Sequence, residues 1–188
     1  MDNNSNNNIT KHVGYNTLQI KTELIIQLEC KQINNNIRQE IISNIKNNIV
    51  NKTSGVNFIL SVNYDQILNN ELPLLKLNNI HVYDLVITLP VKYLYFTKNQ
   101  IVSAYLSIKE NNTNTPEVIA YNTYIYCAII LDHNFTINLS EKMLIYKNKE
   151  YKNRDSCYIK IIDIYSSDKN TLIPCRGILE DKELHETN

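Results

Sequence analysis

From Glu71 to Ile108 the chain reads ELPLLKLNNIHVYDLVITLPVKYLYFTKNQIVSAYLSI. Ile80 to Tyr95 forms one long extended run, with Pro73 before it and Pro90 inside it. Proline gives no N–H to a ladder, so Pro90 predicts a bulge or an edge position. The polar break Thr97-Lys98-Asn99-Gln100 interrupts the run, and Ile101 re-enters a strand. This order predicts an all-β barrel starting directly behind a smaller α+β module.

The chain has 188 residues, enough for one ordinary domain or two small ones, and 43% of them are hydrophobic, enough for a real core. Its formal net charge is zero, which argues against strong nonspecific binding to nucleic acid and leaves only a local basic patch. Asn is abundant, with runs at Asn34-Asn35-Asn36, Asn69-Asn70 and Asn78-Asn79, while there are 3 Gly. Asn, Lys, Ile and Tyr together point to an AT-rich genome, and Asn is expected to stand in for Gly in left-handed turns. Cys30, Cys127, Cys157 and Cys175 are widely spaced without a CxxC, so free structural thiols are expected. MDNNSNNNIT contains no apolar leader core and no run is long enough to span a bilayer, so an intracellular protein without a membrane partner is expected.

Residues 1–16 and 182–188 read as polar tails. Leu18, Ile20, Thr22 and Leu24 alternate at period two, as in a strand over 17–29. Ile37, Ile41, Ile42, Ile45 and Ile49 follow the 3.6-residue period of an amphipathic helix, with Asn34 to Asn36 as cap candidates and a stop at Asn51-Lys52-Thr53-Ser54-Gly55. Val56–Ile67 predicts a strand, and residues 72–75 predict an apolar knob in a loop. The expected fold is α+β: an N-terminal β-α-β-β module over 17–97, then an OB-like antiparallel barrel over 98–181. The barrel strands are expected at 101–108, 118–131, 135–139, 144–146, 157–165 and 172–179, with a polar loop over 110–116, a turn over 132–134 and a charged loop over 147–155.

No catalytic machinery is visible. His12, His81, His133 and His185 have no partner at metal-ligand spacing, and glycines at 14, 55 and 177 cannot build a phosphate loop or nucleophile elbow. No metal or cofactor is expected. Of the 13 Tyr, Tyr124 and Tyr126 fall on one face of the predicted 118–131 strand, opposite to Tyr121 by parity. Near the basic residues Lys149, Lys152 and Arg154 they form a candidate RNA-stacking site. The plain alternative is that Tyr follows the codon bias and its β propensity, and that 147–155 is a solvated loop diluted by Glu150 and Asp155. Leu72, Pro73, Leu74 and Leu75 either fold onto their own domain or dock into a partner.

Over residues 17–181 the order of elements, together with ELPL (71–74), VITLP (86–90), IVSAYLSI (101–108) and RGILED (176–181), resembles the stalk subunit of multisubunit DNA-directed RNA polymerases. The type is the one shared by the eukaryotic seventh subunit and its archaeal counterpart, and the small poxviral form is the most similar. The composition suits an insect poxvirus. A glycine-bearing turn enters the barrel in archaeal and nuclear relatives; here that turn reads Lys98-Asn99-Gln100.

The resemblance implies a non-catalytic subunit of a viral polymerase, found in the virion and the host cytoplasm. Its partners would be the large and small core subunits of the polymerase, and nascent RNA at the barrel. It implies docking through two tip loops, at Asn34, Asn35 and Asn36 and at Asn69–Leu75, which contains Leu72, Pro73, Leu74 and Leu75. Two other classes stay open: a free-standing OB-type protein that binds single-stranded nucleic acid, and a viral structural or host-interaction protein.

Overall fold

The computed structural model describes residues 14–110, 115–131 and 134–180. His12, His133, His185, residues 1–13 of the expected 1–16 tail, the expected 182–188 tail, and most of the expected 110–116 loop and 132–134 turn lie outside these residues. Gly14 to Asn16 do not belong to a tail: Tyr15 packs against the barrel core, and Asn16 opens the first strand.

That strand, β1 (Asn16–Glu29), leads through a single 3-10 turn (Cys30–Gln32) into α1 (Ile37–Asn48). Asn34 shapes the entry, its side-chain oxygen accepting from Asn36 N at 2.7 Å, an Asx turn. β2 (Thr53–Ser54) and β3 (Asn57–Val62) follow, then the short helix α2 (Asp65–Asn69), β4 (Leu75–Asn79) and β5 (Val82–Tyr95). The strand expected over 56–67 therefore ends at Val62. The Asn63 side chain caps a new turn by accepting from Asp65 N, and Arg38 of α1 donates to the carbonyl of Ile67. The knob is likewise divided. Leu72 and Leu75 pack against the core, Leu75 opens β4, and Leu74 is 89% exposed.

The first sheet has the order β1-β5-β3-β2, with β4 also on β5. One face carries Leu24, Ile26 and Leu28 of β1, Leu85, Ile87, Leu89 and Val91 of β5, and Ile59 and Val62 of β3, and it is covered by Ile41, Ile42 and Ile45 of α1 and Ile67 of α2. Pro90 sits where β3 has ended, at Val62↔Val91, and β4 has not begun, at Leu75↔Leu85. Its ring nitrogen thus meets a gap in the ladder within a central strand, which satisfies the constraint an edge would satisfy.

The second half holds β6 (Ile101–Glu110), β7 (Pro116–Tyr121), β8 (Ile125–Ile129), β9 (Phe135–Asn138), β10 (Met143–Tyr146), β11 (Lys149–Lys152), β12 (Ser156–Ile164) and β13 (Ile173–Glu180). Five of these close a barrel in the circular order β6-β7-β8-β13-β12, and β9, β10 and β11 form a separate three-stranded sheet. The barrel is not wholly antiparallel, because β8 and β13 run parallel with Cys127 opposite Cys175. The long strand expected over 118–131 is two strands joined by a hairpin, and the charged loop over 147–155 contains β11. Left-handed backbone is taken by Asn51, Asn99 and Asn148, as the scarcity of glycine predicts, and also by Lys142, Lys147, Arg154 and Lys169.

Gly177 is required for a different reason. A Cβ there would lie 2.7 Å from the Lys160 carbonyl oxygen and 3.0 Å from Cys127 Sγ, where β12 bulges between Ile161 and Asp163.

The halves share a core. Phe58 and Leu94, on the face of the first sheet opposite α1, join Phe96 in the barrel interior with Leu106, Ile125, Ile159 and Ile173. A second contact closes the flank. Thr53 is a buried polar residue whose Oγ1 accepts from Ser167 Oγ (3.1 Å) and Asn170 N (3.0 Å). Thr53 N donates to Asn170 O, Lys169 N to Thr53 O, Ser167 N to Gly55 O, and Gly55 N to Asp168 Oδ1. The β12–β13 loop is in this way hydrogen-bonded to the β2 turn.

Candidate functional site

Alternation decides what the barrel offers to a partner. Ala104, Leu106, Ala120, Ile125 and Cys127 point inward, so their neighbours Tyr105, Tyr121 and Tyr126 point outward. Register places them side by side, with Tyr105 opposite Tyr121 and Tyr121 opposite Tyr126. The Tyr105 and Tyr121 ring centroids are 6.3 Å apart at 46°. The row continues to Ser156 on β12 and Pro174 on β13. The next row reads Ser107, Ile119, Ala128 and Arg176, and it supplies an exposed guanidinium. Ile119 in that row is only 1% exposed despite facing outward; Tyr121 lies beside it on its own strand, and Tyr105 and Tyr126 lie diagonally across. A row of half-exposed phenol rings above a buried aliphatic floor, with a cation one row away, suits stacking of planar rings. Burial and the Glu117 carboxylate push the Tyr126 hydroxyl above its ordinary pKa, so it remains a neutral donor at physiological pH.

A three-residue turn, Asn122 to Tyr124, makes this arrangement. Asn122 Oδ1 accepts from Tyr124 N (2.9 Å) and Ile125 N (3.0 Å), while its Nδ2 donates to Ser103 O (3.0 Å). The reversal brings Tyr121 and Tyr126 onto one face and removes Tyr124 from it, contrary to the parity of an unbroken strand. Tyr124 lies at the junction of the two halves, edge-on to Phe58 (5.4 Å) and to Tyr15 (5.5 Å). Tyr105 and Tyr121 are the residues that strand parity misses. The asparagine before Thr123-Tyr124 was the available signal, since Asn favours turns over strand interiors.

The predicted basic residues separate. Lys149 and Lys152 belong to β11 in the three-stranded sheet, and Lys147 stands over the ring of Tyr146 at 5.0 Å. Arg154 returns to the barrel: its N donates to Leu106 O (2.8 Å), next to Tyr105 on β6. Of the five residues predicted to contact RNA, Tyr126 lies in the tyrosine row and Arg154 is joined to its first strand.

At the far end of the first sheet, Leu74, Leu77 and Ile80 are exposed along β4 and its turn, and the Asn34–Asn36 loop is exposed too. Cys30 N donates to His81 O (3.0 Å), which ties the segment leading to that loop to the β4–β5 turn. Asn35 and Pro73 are exposed, and Pro73 lines an open cleft together with Lys21 and Thr88.

The thiols are unpaired: Cys30 is exposed, and Cys127, Cys157 and Cys175 are buried. Hydrogen bonding to Cys175 and burial both raise the Cys127 pKa, and burial together with Asp155 pushes Cys157 up to about 12. A thiol reagent is expected to modify Cys30 alone in the folded chain, and mass spectrometry of the labelled peptides checks this. An unfolded thiol ionises near 8.5, so from about pH 8.5 to about pH 12 the unfolded chain releases protons that the folded chain keeps. Stability should fall as pH rises through that window.

Among the described residues, no three His, Cys, Asp or Glu side chains converge as metal ligands, and no helix is long and apolar enough to cross a membrane. No protein-family model matches the chain, and no curated protein matches it.

Proposed function

We propose that this chain is a non-catalytic, stalk-type subunit of a viral DNA-directed RNA polymerase, with an OB-like barrel that holds single-stranded nucleic acid. The observation that carries the reading is the barrel order β6-β7-β8-β13-β12, with β8 and β13 parallel, directly behind an α-covered sheet. Counted along the barrel alone this is 1-2-3-5-4, the connectivity of an OB fold, which uses the face of its second and third strands for ligands. Here those strands carry Tyr121 and Tyr126. The polymerase assignment rests on the resemblance in the sequence and on the exposed apolar tip. The virion and the host cytoplasm are where such a subunit would act.

Affinity capture of the tagged full chain from infected cells tests the reading. Recovery of the two large polymerase subunits is the expected result, and their absence overturns it. Leu74→Asp with Ile80→Asp is expected to reduce capture at least tenfold without loss of folded signal, because both side chains are exposed and apolar interface anchors carry about 2 kcal/mol or more each. Leu72 does not serve this test, since it packs against the core.

A free-standing single-strand binder is the second reading, favoured by the tyrosine row. Fluorescence anisotropy with a short RNA separates the two: tight binding by the isolated chain without polymerase capture selects it. In either case Tyr105→Ala, Tyr121→Ala and Tyr126→Ala are each expected to weaken RNA contact by about 1–3 kcal/mol. Crosslinking of RNA to the barrel face measures the loss, and unchanged crosslinking in the triple variant would reject the row as the contact surface.

A further inference from the structure

β1 is a 14-residue strand at the border of its sheet, with β5 on one side and, among the described residues, no strand on the other. Two hydrogen bonds reveal which residues face the open side. Asn63 N donates to Pro90 O, so Pro90 turns away from β1, and Lys21 opposite it turns outward. Cys30 N donates to His81 O, so the even-numbered residues of β1 face β5. Gln19, Lys21, Glu23, Ile25 and Gln27 therefore direct N–H and C=O outward. Asn44 Nδ2 donates to Gln27 O (2.9 Å) and closes one end, and Asn16 is held by Gln100 (3.1 Å) at the other. The open edge runs from Gln19 to Ile25, and its midpoint is Thr22.

Natural sheets blunt such an edge with a bulge, a proline or charged side chains, lysine above all. Here the β1–β5 register is unbroken and the edge charges, Lys21 and Glu23, are of opposite sign. The side chains along it are instead self-complementary about Thr22. An antiparallel copy places Lys21 opposite Glu23, Ile20 opposite Leu24, Leu18 opposite Ile26, and Gln19 opposite Ile25. Outward-facing residues meet outward-facing residues, so the ladder closes without a slip. Leu18 and Ile20, both exposed, meet apolar partners.

We propose that a second copy of this chain adds antiparallel to β1 about a two-fold axis at Thr22, joining the two sheets into one. The proposal is independent of the polymerase reading. Sedimentation equilibrium of the purified full chain is expected to show a dimer. Lys21→Glu places like charges opposite each other, and Lys21→Pro deletes an N–H that the single chain does not use. Each is expected to weaken dimerisation about tenfold or more while leaving the melting of the monomer close to unchanged. Lys21→Glu with Glu23→Lys restores the dimer, and a mixture of the single variants Lys21→Glu and Glu23→Lys forms a heterodimer. A chain that stays monomeric at every concentration overturns the proposal. So does a dimer indifferent to both Lys21 variants, or an edge occupied only by a strand from another protein.

Discussion

Ile45→Ala is expected to lower the unfolding free energy by about 2–5 kcal/mol, the range for deleting a fully buried aliphatic side chain. Ile45 is fully buried between α1 and the first sheet, with Ile41 beside it in the same state. Isoleucine is a mediocre helix former, and α1 has no side-chain bond at its N-cap Asn36, so tertiary contact is what holds this helix. The cavity left by alanine would be lined by stiff strands that cannot collapse into it. Urea denaturation followed by circular dichroism measures the change, and a loss below about 0.5 kcal/mol would mean that α1 does not cover the sheet.

Gly177→Val is expected to cost about 3 kcal/mol, toward the upper end for overpacking. The obstructing atom nearest an added Cβ is the backbone oxygen of Lys160, which cannot rotate aside as a long side chain could. Relief requires β12 and β13 to part, and that opens the barrel between its fourth and fifth strands. Gly177→Ala should show a smaller loss with the same sign. Cys127→Ala with Gly177→Ala should recover only part of it, since the Lys160 contact remains. Equal stability of Gly177→Val and the parent chain would remove the argument for this glycine.

The helix was legible because Ile37, Ile41, Ile42, Ile45 and Ile49 repeat at its period, and nothing else in the chain does. The strand entries at Ile101, near Cys157 and near Ile173 were legible because polar breaks precede them. Other features were hidden by the composition. Thr123-Tyr124 are good strand formers, so the hairpin between Tyr121 and Tyr126 lacked a glycine or proline to mark it. Lys147-Asn148 turn with both φ positive at 49° and 63°, in a sequence that offers no glycine there. α2 is too short for any periodicity, and its start depends on one Asn63 side chain. The candidate site suffered most, since a three-residue turn decides which tyrosines share a face. Register across strands is set by such turns, and strand parity along one segment does not carry through them.

β1 and β5 run beside each other for 14 residues without a break, a ladder of about 45 Å at the usual rise per residue. One end is the exposed apolar turn, and the other ends in Leu94 and Phe96, which are inside the barrel core. The loop from β12 to β13 is fastened to the β2 turn beside that junction. A load at the tip therefore runs along β5 itself, whose backbone is continuous from Val82 into the barrel core. β1 braces it over 14 residues, and the Asn16–Gln100 and Asn99 N–Ile161 O bonds tie the junction. The molecule should behave as a strut: whatever grips one end fixes the direction in which the tyrosine face looks at the other.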